Sequence, residues 1–576
     1  MGPIAVLLLL LIRSGTVVSY WEYESLNVSQ WQWQSSVVVN NWLYIDGGEL
    51  YAIQNDNPTF FYLGQTISID LTQPWTNATV QNYLRETQRP VTDGHWSKKP
   101  ALFYDPFKNV VIQWGGWPYD NDDQSYEFVF TPNGNGTVNW IQSATPVTNT
   151  QDKSSPAIFG SAFVSSSTSF YSLGGVVAEE SAPPELAVQG LLEYNFEGSN
   201  WTNSSSEMAT ANGYLVGGQA AYTPGSDQGG FGQAGYIFFV GGNDPASQSF
   251  DPQSPSLVDM SNITLYDIGA QAWYQQATTG TIPPPRQFFC SVSATSIQAT
   301  FEIFILGGST NETYDQALAN DTDYLSVYTL SIPAFRWFKS TATDQVRRAN
   351  QCCQLIGNKQ MLVIGGTQPS NPLGIAAVEP WPNGLGIFDM SNFTWADSYD
   401  PQAAPYEQPA VVRDYYSNEY QSPVWGSSQL QVDFAWAPPD LPTGTYTGSY
   451  PSTTTSPAPT ASASTKVSSS STPIGPIVGG VVGGVCALLL ALILGVLVWK
   501  RKNPKTMSSH EVQTLEVSNI TTQKVELPTP LNSPGLRAGV PPSYTETRAS
   551  GRQLRMEEPE AQELEATSVS RTPELP

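Results

Sequence analysis

The chain has 576 residues, 40% of them hydrophobic, with 47 glycines, 45 prolines and a net charge of −25. So acidic a surface repels nucleic acid and anionic headgroups, and leaves cations, basic peptides or plain solubility as the uses of that charge. With two histidines in all, chemistry that gathers several imidazoles is excluded.

In chain order, residues 1–19 read as a secretory signal. Ile4 to Ile12 is a short apolar core, too short to span a bilayer, and Val17 and Ser19 fit the small-residue cleavage rule, so the mature chain begins at Tyr20. Residues 20–440 carry an internal repeat. Six Gly-Gly doublets follow strand-like apolar runs: Gly47-Gly48, Gly115-Gly116, Gly174-Gly175, Gly241-Gly242, Gly307-Gly308 and Gly365-Gly366. Downstream of each comes a tryptophan: Trp75, Trp140, Trp201, Trp273, Trp337 and Trp395. An aromatic stands seven residues before three of them, as Tyr194, Tyr266 and Phe388, and Tyr328 stands nine before Trp337. Blades one and two are looser, with Ile69 before Trp75 and Phe128 or Phe130 before Trp140. The unit therefore reads as two strands, a doublet, a long loop and two more strands, one antiparallel sheet per repeat. Such a sheet buries its faces only against its neighbours, which predicts an all-β radial array of six blades. The count becomes seven if Pro409 to Phe434 completes another blade. A further doublet, Gly217-Gly218, is read as the start of blade four's innermost strand.

Residues 441–476 turn to Ser, Thr and Pro and read as an O-glycosylated stalk. Residues 477–499 hold no charge and are long enough to cross a membrane as one helix, and Lys500, Arg501 and Lys502 follow on the expected cytosolic side. Residues 500–576 are Pro-, Ser-, Thr- and Glu-rich and are expected to be a disordered tail. That tail carries ten basic and ten acidic residues, so the whole net charge falls on the rest of the chain.

Double glycine, aromatic and tryptophan in this order resemble the kelch repeat. The stretches Pro285 to Cys290, Gly357 to Gly366 and Gly384 to Met390 look like those of fungal kelch-repeat cell-surface proteins. The resemblance covers roughly residues 30 to 400, with a longer period than the ~50 residues usual for kelch, and it implies a β-propeller. Some kelch propellers are copper radical oxidases. Their site needs paired histidines, whereas His95 is the one histidine before the membrane segment.

The loops after the doublets carry the candidate binding residues: Trp117, Tyr119, Asp120, Asp122, Asp123, Asn243, Asp244, Asp315, Asp321, Asp323 and Trp381. Aromatics beside carboxylates suit sugar rings, and Asp120 to Asp123 offer oxygens to Ca²⁺, the one cofactor suggested. Solvated acidic loops are the other reading. Cys290 and Cys352 lie four residues after Arg286 and Arg348, in equivalent innermost strands. They form a candidate disulfide, with three buried thiols as the alternative. N-glycosylation sequons stand at Asn27, Asn77, Asn135, Asn200, Asn203, Asn262, Asn311, Asn320 and Asn392. In the tail, Pro541, Pro542 and Tyr544 match the PPxY ligand of WW domains, as borne by ubiquitin ligases.

The expectation is a single-pass type I membrane glycoprotein at the cell surface. Its propeller is a non-catalytic module for a glycan or protein ligand. A secreted-side oxidase- or glycosidase-like enzyme, or a sensor signalling through the tail, are the alternatives.

Overall fold

The computed structural model describes residues 17–18, 28–54, 57–89, 97–118, 128–141, 158–177, 185–251, 255–310, 322–344, 346–367 and 379–435. The expected stalk, membrane span and tail lie outside the described residues, as does all of the signal segment except Val17–Val18. Among the described residues no helix is long and apolar enough to cross a membrane.

The repeats form six blades, each built on four antiparallel strands, with two further strands in the sheet of blade one and one in that of blade five. From the centre outward, blade one runs Val28–Val39, Trp42–Gln54, Gln65–Asp70 and Leu84–Gln88. Blade two runs Ala101–Asp105, Val110–Trp114, Phe128–Pro132 and Val138–Ile141. Blade three runs Ala162–Ser165, Ser169–Leu173, Leu191–Asn195 and Asn200–Ser204. Blade four runs Gln219–Thr223, Tyr236–Val240, Asn262–Asp267 and Ala272–Ala277, so Gly217-Gly218 leads into its innermost strand as expected. Blade five runs Cys290–Thr295, Phe301–Leu306, Ser326–Ile332 and Arg336–Thr343. Blade six runs Cys352–Ile356, Gln360–Ile364, Leu385–Asp389 and Thr394–Ala396.

Continuous apolar second strands such as Tyr236–Val240 arise because both faces of each sheet are covered. The core is six apolar clusters, one between each pair of neighbouring blades. The cluster that joins Leu43, Ile45 and Ile67 of blade one to Leu362, Ile364 and Ile387 of blade six closes the ring. The seven-residue aromatic-to-Trp spacing is a cross-strand pair: Tyr194 faces Trp201, Tyr266 faces Trp273 and Phe388 faces Trp395. In blade two Phe130 is the partner of Trp140, and in blade five the wider spacing puts Leu330 opposite Trp337.

Two expectations need correction in blade one. Its second strand does not stop at Gly47-Gly48 but continues to Gln54 and turns into a further strand, Asn57–Leu63. Nor does Trp75 open the fourth strand. It pairs with Tyr399 in a two-stranded clasp beyond blade six, rings 5.0 Å apart, and the Tyr399 hydroxyl donates to the Leu71 carbonyl at 3.0 Å.

Pro409 to Phe434 is not a seventh blade. It folds as helices α1 (Ala410–Asn418) and α2 (Ser428–Asp433). Val412, Tyr415 and Tyr416 recur at helical spacing and bury against Ala334 and Phe338 of blade five. Ser427 caps α2 by accepting from the Leu430 N–H at 3.2 Å, and Leu430 and Phe434 fill the cluster between blades four and five.

The cysteine pairing also differs. The disulfide joins Cys290 to Cys353, and Cys352 is a free thiol. Equivalent positions in successive blades point the same way around the ring. Cys290 therefore looks toward blade six, while Cys352 looks onward to blade one, where its sulfur lies 3.0 Å from Ser36 Oγ. Cys353, on the other face of its strand, meets Cys290. Burial pushes the Cys352 thiol up to about 11.

Candidate binding site at the channel mouth

The doublets and the segments that lead into each innermost strand lie at one end of the propeller. There the second glycine of a doublet donates its N–H to a carbonyl of the next blade. Gly116 bonds Ile158 at 2.8 Å, Gly175 bonds Leu215 at 2.8 Å, Gly242 bonds Arg286 at 2.9 Å, Gly308 bonds Arg348 at 2.7 Å and Gly366 bonds Trp31 at 2.6 Å. The first glycine lies against the same segment. A Cβ on Gly115 would stand 2.3 Å from the Ile158 oxygen, and one on Gly365 2.1 Å from the Trp31 oxygen. The doublet is thus a clasp between blades, which is why the repeat requires it.

Two residues beyond each of these five clasped carbonyls, and at Lys99 two beyond Ser97, the backbone turns left-handed, once per blade. The six residues are Trp33 (φ 64°), Lys99 (55°), Gly160 (65°), Gly217 (67°), Phe288 (53°) and Asn350 (58°). They form a collar in which five of the six donate their backbone N–H to the neighbour in the preceding blade. The distances are 3.1 Å for Trp33 to Asn350, 2.8 Å for Lys99 to Trp33 and 2.7 Å for Gly217 to Gly160. Phe288 to Gly217 is 2.7 Å and Asn350 to Phe288 is 2.9 Å.

The collar encircles the central channel, a cavity of about 260 Å³ lined by the innermost strands of all six blades. Among the described residues its lining holds hydroxyls and amides such as Gln34, Ser291, Asn350, Gln351 and Gln354, together with Lys99, and no carboxylate. Lys99 Nζ lies 4.2 Å from the centroid of the Phe288 ring and 5.0 Å from that of Trp33, and Lys98 Nζ lies 4.5 Å from Trp33 and 4.8 Å from Trp117. Such contacts suit an ammonium group. Among the described residues no three His, Cys, Asp or Glu side chains gather as a metal-holding group.

The sequence-predicted loop residues have other surroundings. Trp117 stands beside the mouth, stacked on Phe159 at 5.1 Å. Asp244 is buried and ties a loop, accepting from Thr210 Oγ1 at 3.0 Å and from the Asn212 N–H at 2.9 Å. Asn243 is likewise buried and pairs with Val216. Asp323 is bound by Lys339 and by the Tyr328 hydroxyl, and the Lys339 hydrogen bond holds its pKa below the ordinary value. Trp381 is buried under the Arg348 guanidinium, 3.6 Å from its ring centroid, so it is no exposed platform. Burial opposes the Arg348 charge, but Glu379 and Asp344 more than offset it and raise its pKa. Tyr119, Asp120, Asp122, Asp123, Asp315 and Asp321 lie outside the described residues, as do Asn27, Asn311, Asn320 and the PPxY motif. Of the sequons, Asn135, Asn200, Asn203, Asn262 and Asn392 are exposed, whereas Asn77 is buried and donates to the Leu385 carbonyl at 3.5 Å.

No family model matches the chain. Its sequence is similar to that of a kelch repeat-containing protein of Arthroderma benhamiae, 25% identical over 417 residues, covering 64% of this chain and 56% of that protein. The chain therefore spans about half the length of that relative. Among solved structures, YjhT aligns with a TM-score of 0.39 and 13% identity, over 64% of this chain and 98% of its own. The chain thus shares its repeat pattern with a kelch repeat-containing protein, and its own repeats fold as six blades in a closed ring.

Proposed function

We propose that the protein is a non-catalytic binding module, carried at the cell surface as a single-pass type I glycoprotein, and that the channel mouth is its ligand face. The observation that carries this reading is the collar, where side chains are kept on left-handed backbone although glycine serves at the same position in two blades. Strain of this kind collects at ligand sites. The 23 uncharged residues 477–499 and the basic run after them support the topology. The PPxY motif supports recruitment of a WW-domain ubiquitin ligase to the tail, with turnover by endocytosis.

The test expresses the full chain in cells with one epitope after Tyr20 and another at the C-terminus, and offers intact cells labelled surface glycans and secreted proteins. Staining of the first epitope alone without permeabilisation, with retention of a labelled ligand, is expected. An inaccessible N-terminal epitope contradicts the topology, and retention of nothing contradicts the binding role.

A further inference from the structure

After blade six the chain crosses to blade five as a strap, residues 400–418, which ends in α1. No residue of the strap joins a sheet. One backbone bond ties it to the turn between the first two strands of blade five, from the Ile297 N–H to the Tyr406 carbonyl at 3.3 Å. The rest of its polar hold on that blade is made by side chains, and they converge on Glu302 of the second strand, which is fully buried. Gln408 Nε2 donates to Thr300 Oγ1 at 2.8 Å, and Thr300 Oγ1 donates to Glu302 Oε1 at 2.6 Å. Ser331 Oγ donates to the same oxygen at 2.8 Å and stands 3.1 Å from the Tyr416 hydroxyl of α1, which in turn accepts from the Ala334 N–H at 3.1 Å. The Tyr406 hydroxyl also faces the carboxyl.

We propose that Glu302 is a pH-sensitive latch: as the neutral acid it lets the strap pack against blade five, and as the carboxylate it releases the strap while the ring stays closed.

The charges around it lead there. The titratable groups that face Glu302 are Tyr406 and Tyr416, whose phenols burial keeps neutral. Glu407, Arg413 and Asp414, the charged residues of the strap near it, are exposed. Arg336, on the fourth strand of blade five, lies over the Phe338 and Tyr415 rings instead. Among the described residues no ammonium or guanidinium pairs with Glu302, so its charge would be buried uncompensated. Burial outweighs the opposing hydrogen bonds and raises its pKa from 4.5 to about 7. The docked value is above the released one, so the proton favours docking fully below about pH 4.5, and that favour is lost as pH rises through about 7.

The strap is also the element that can yield. Its removal opens the carboxyl to solvent without parting a sheet. The cluster that closes the ring between blades one and six contains no residue of it. A segment held by side chains rather than by a ladder opens before the strands beneath it.

The experiment follows backbone hydrogen exchange in the full-length chain in detergent, with rates corrected for intrinsic exchange. From pH 5.5 to 8.5, peptides spanning residues 403–418 should open about thirtyfold more, the ratio implied by the docked and released pKa values. Peptides of the second strand of blade two, Val110–Trp114, should keep their protection. In Glu302→Gln, which is neutral throughout and of the same shape, protection of the strap should not change with pH. Strap protection independent of pH in the parent overturns the proposal whether or not the variant folds. A variant with the parent's pH profile overturns it as well. So does loss of protection in strap and blade two together, which would make the carboxyl a determinant of global stability and no latch.

Discussion

Asn350 donates its backbone N–H to the Phe288 carbonyl 2.9 Å away, and both residues are left-handed, with φ of 58° and 53°. They occupy the same position in neighbouring blades, so the bond repeats the register of the propeller across a blade boundary. A few residues away the doublet Gly307-Gly308 clasps Arg348 of blade six. Clasp and collar together fix the six lead-in segments, and with them the side chains at the channel mouth.

Gly365→Ala tests the clasp. Its Cβ would stand 2.1 Å from the Trp31 carbonyl oxygen, at φ 59°, in the seam that closes the ring. Backbone cannot yield there cheaply, so a loss of about 3 kcal/mol or more is expected, read as a lowered melting temperature. Gly134→Ala, where nothing lies within 4 Å, should change stability by less than about 0.5 kcal/mol.

The disulfide spans 63 residues of chain. Loop-closure entropy gives such a link an upper contribution of about 4 kcal/mol, so Cys353→Ser should lower the melting temperature clearly. Cys352→Ser should cost about 1 kcal/mol or less, since a small thiol is exchanged for a hydroxyl beside Ser36. Non-reducing peptide mapping should recover the Cys290 and Cys353 peptides joined. A Cys290–Cys352 product would contradict the structure.

Glu302 lies fully buried in blade five, accepting from Thr300 Oγ1 at 2.6 Å and Ser331 Oγ at 2.8 Å, with the Tyr406 and Tyr416 hydroxyls of the C-terminal segment around it. Burial raises its pKa from 4.5 to about 7. The folded chain therefore holds a proton that the unfolded chain releases. This contribution is complete below about pH 4.5 and is lost as pH rises through about 7. Glu302→Gln stays neutral throughout, so above pH 7 it should exceed the parent in stability by on the order of 2–3 kcal/mol. Melting curves from pH 5 to 8.5 check this, and parallel pH profiles for the two proteins would contradict it.

Glycopeptide mapping of protein made in a secreting host should find Asn77 unmodified, because its amide is buried against the Leu385 carbonyl. Glycan is expected among the exposed Asn135, Asn200, Asn203, Asn262 and Asn392. A glycan on Asn77 would require blades one and six to part.

The blades were legible because their chemistry is repetitive. Doublets at clasps and tryptophans opposite aromatics are demanded at every turn of the ring, so they recur in the chain. Helices α1 and α2 were less legible, since Val412, Tyr415, Tyr416, Leu430 and Phe434 make short apolar patterns that do not repeat. The cysteine pairing failed on rotation: equivalence places Cys290 and Cys352 in parallel rather than face to face. The mouth was hidden for another reason. Trp, Lys, Gly, Gly, Phe and Asn share a backbone conformation and no side-chain chemistry, whereas the conspicuous Asp244 and Trp381 serve the fold.

The most direct measurement follows thermal stability and ligand retention together in the Trp33→Gly/Asn350→Gly double variant of the full chain. If the collar side chains are held for the ligand, retention falls at least tenfold while the double variant still folds, relief of backbone strain at Trp33 being set against its lost contacts with Lys98 and Lys99. A clearly lower melting temperature with retention unchanged would make the collar a structural seam and contradict the account.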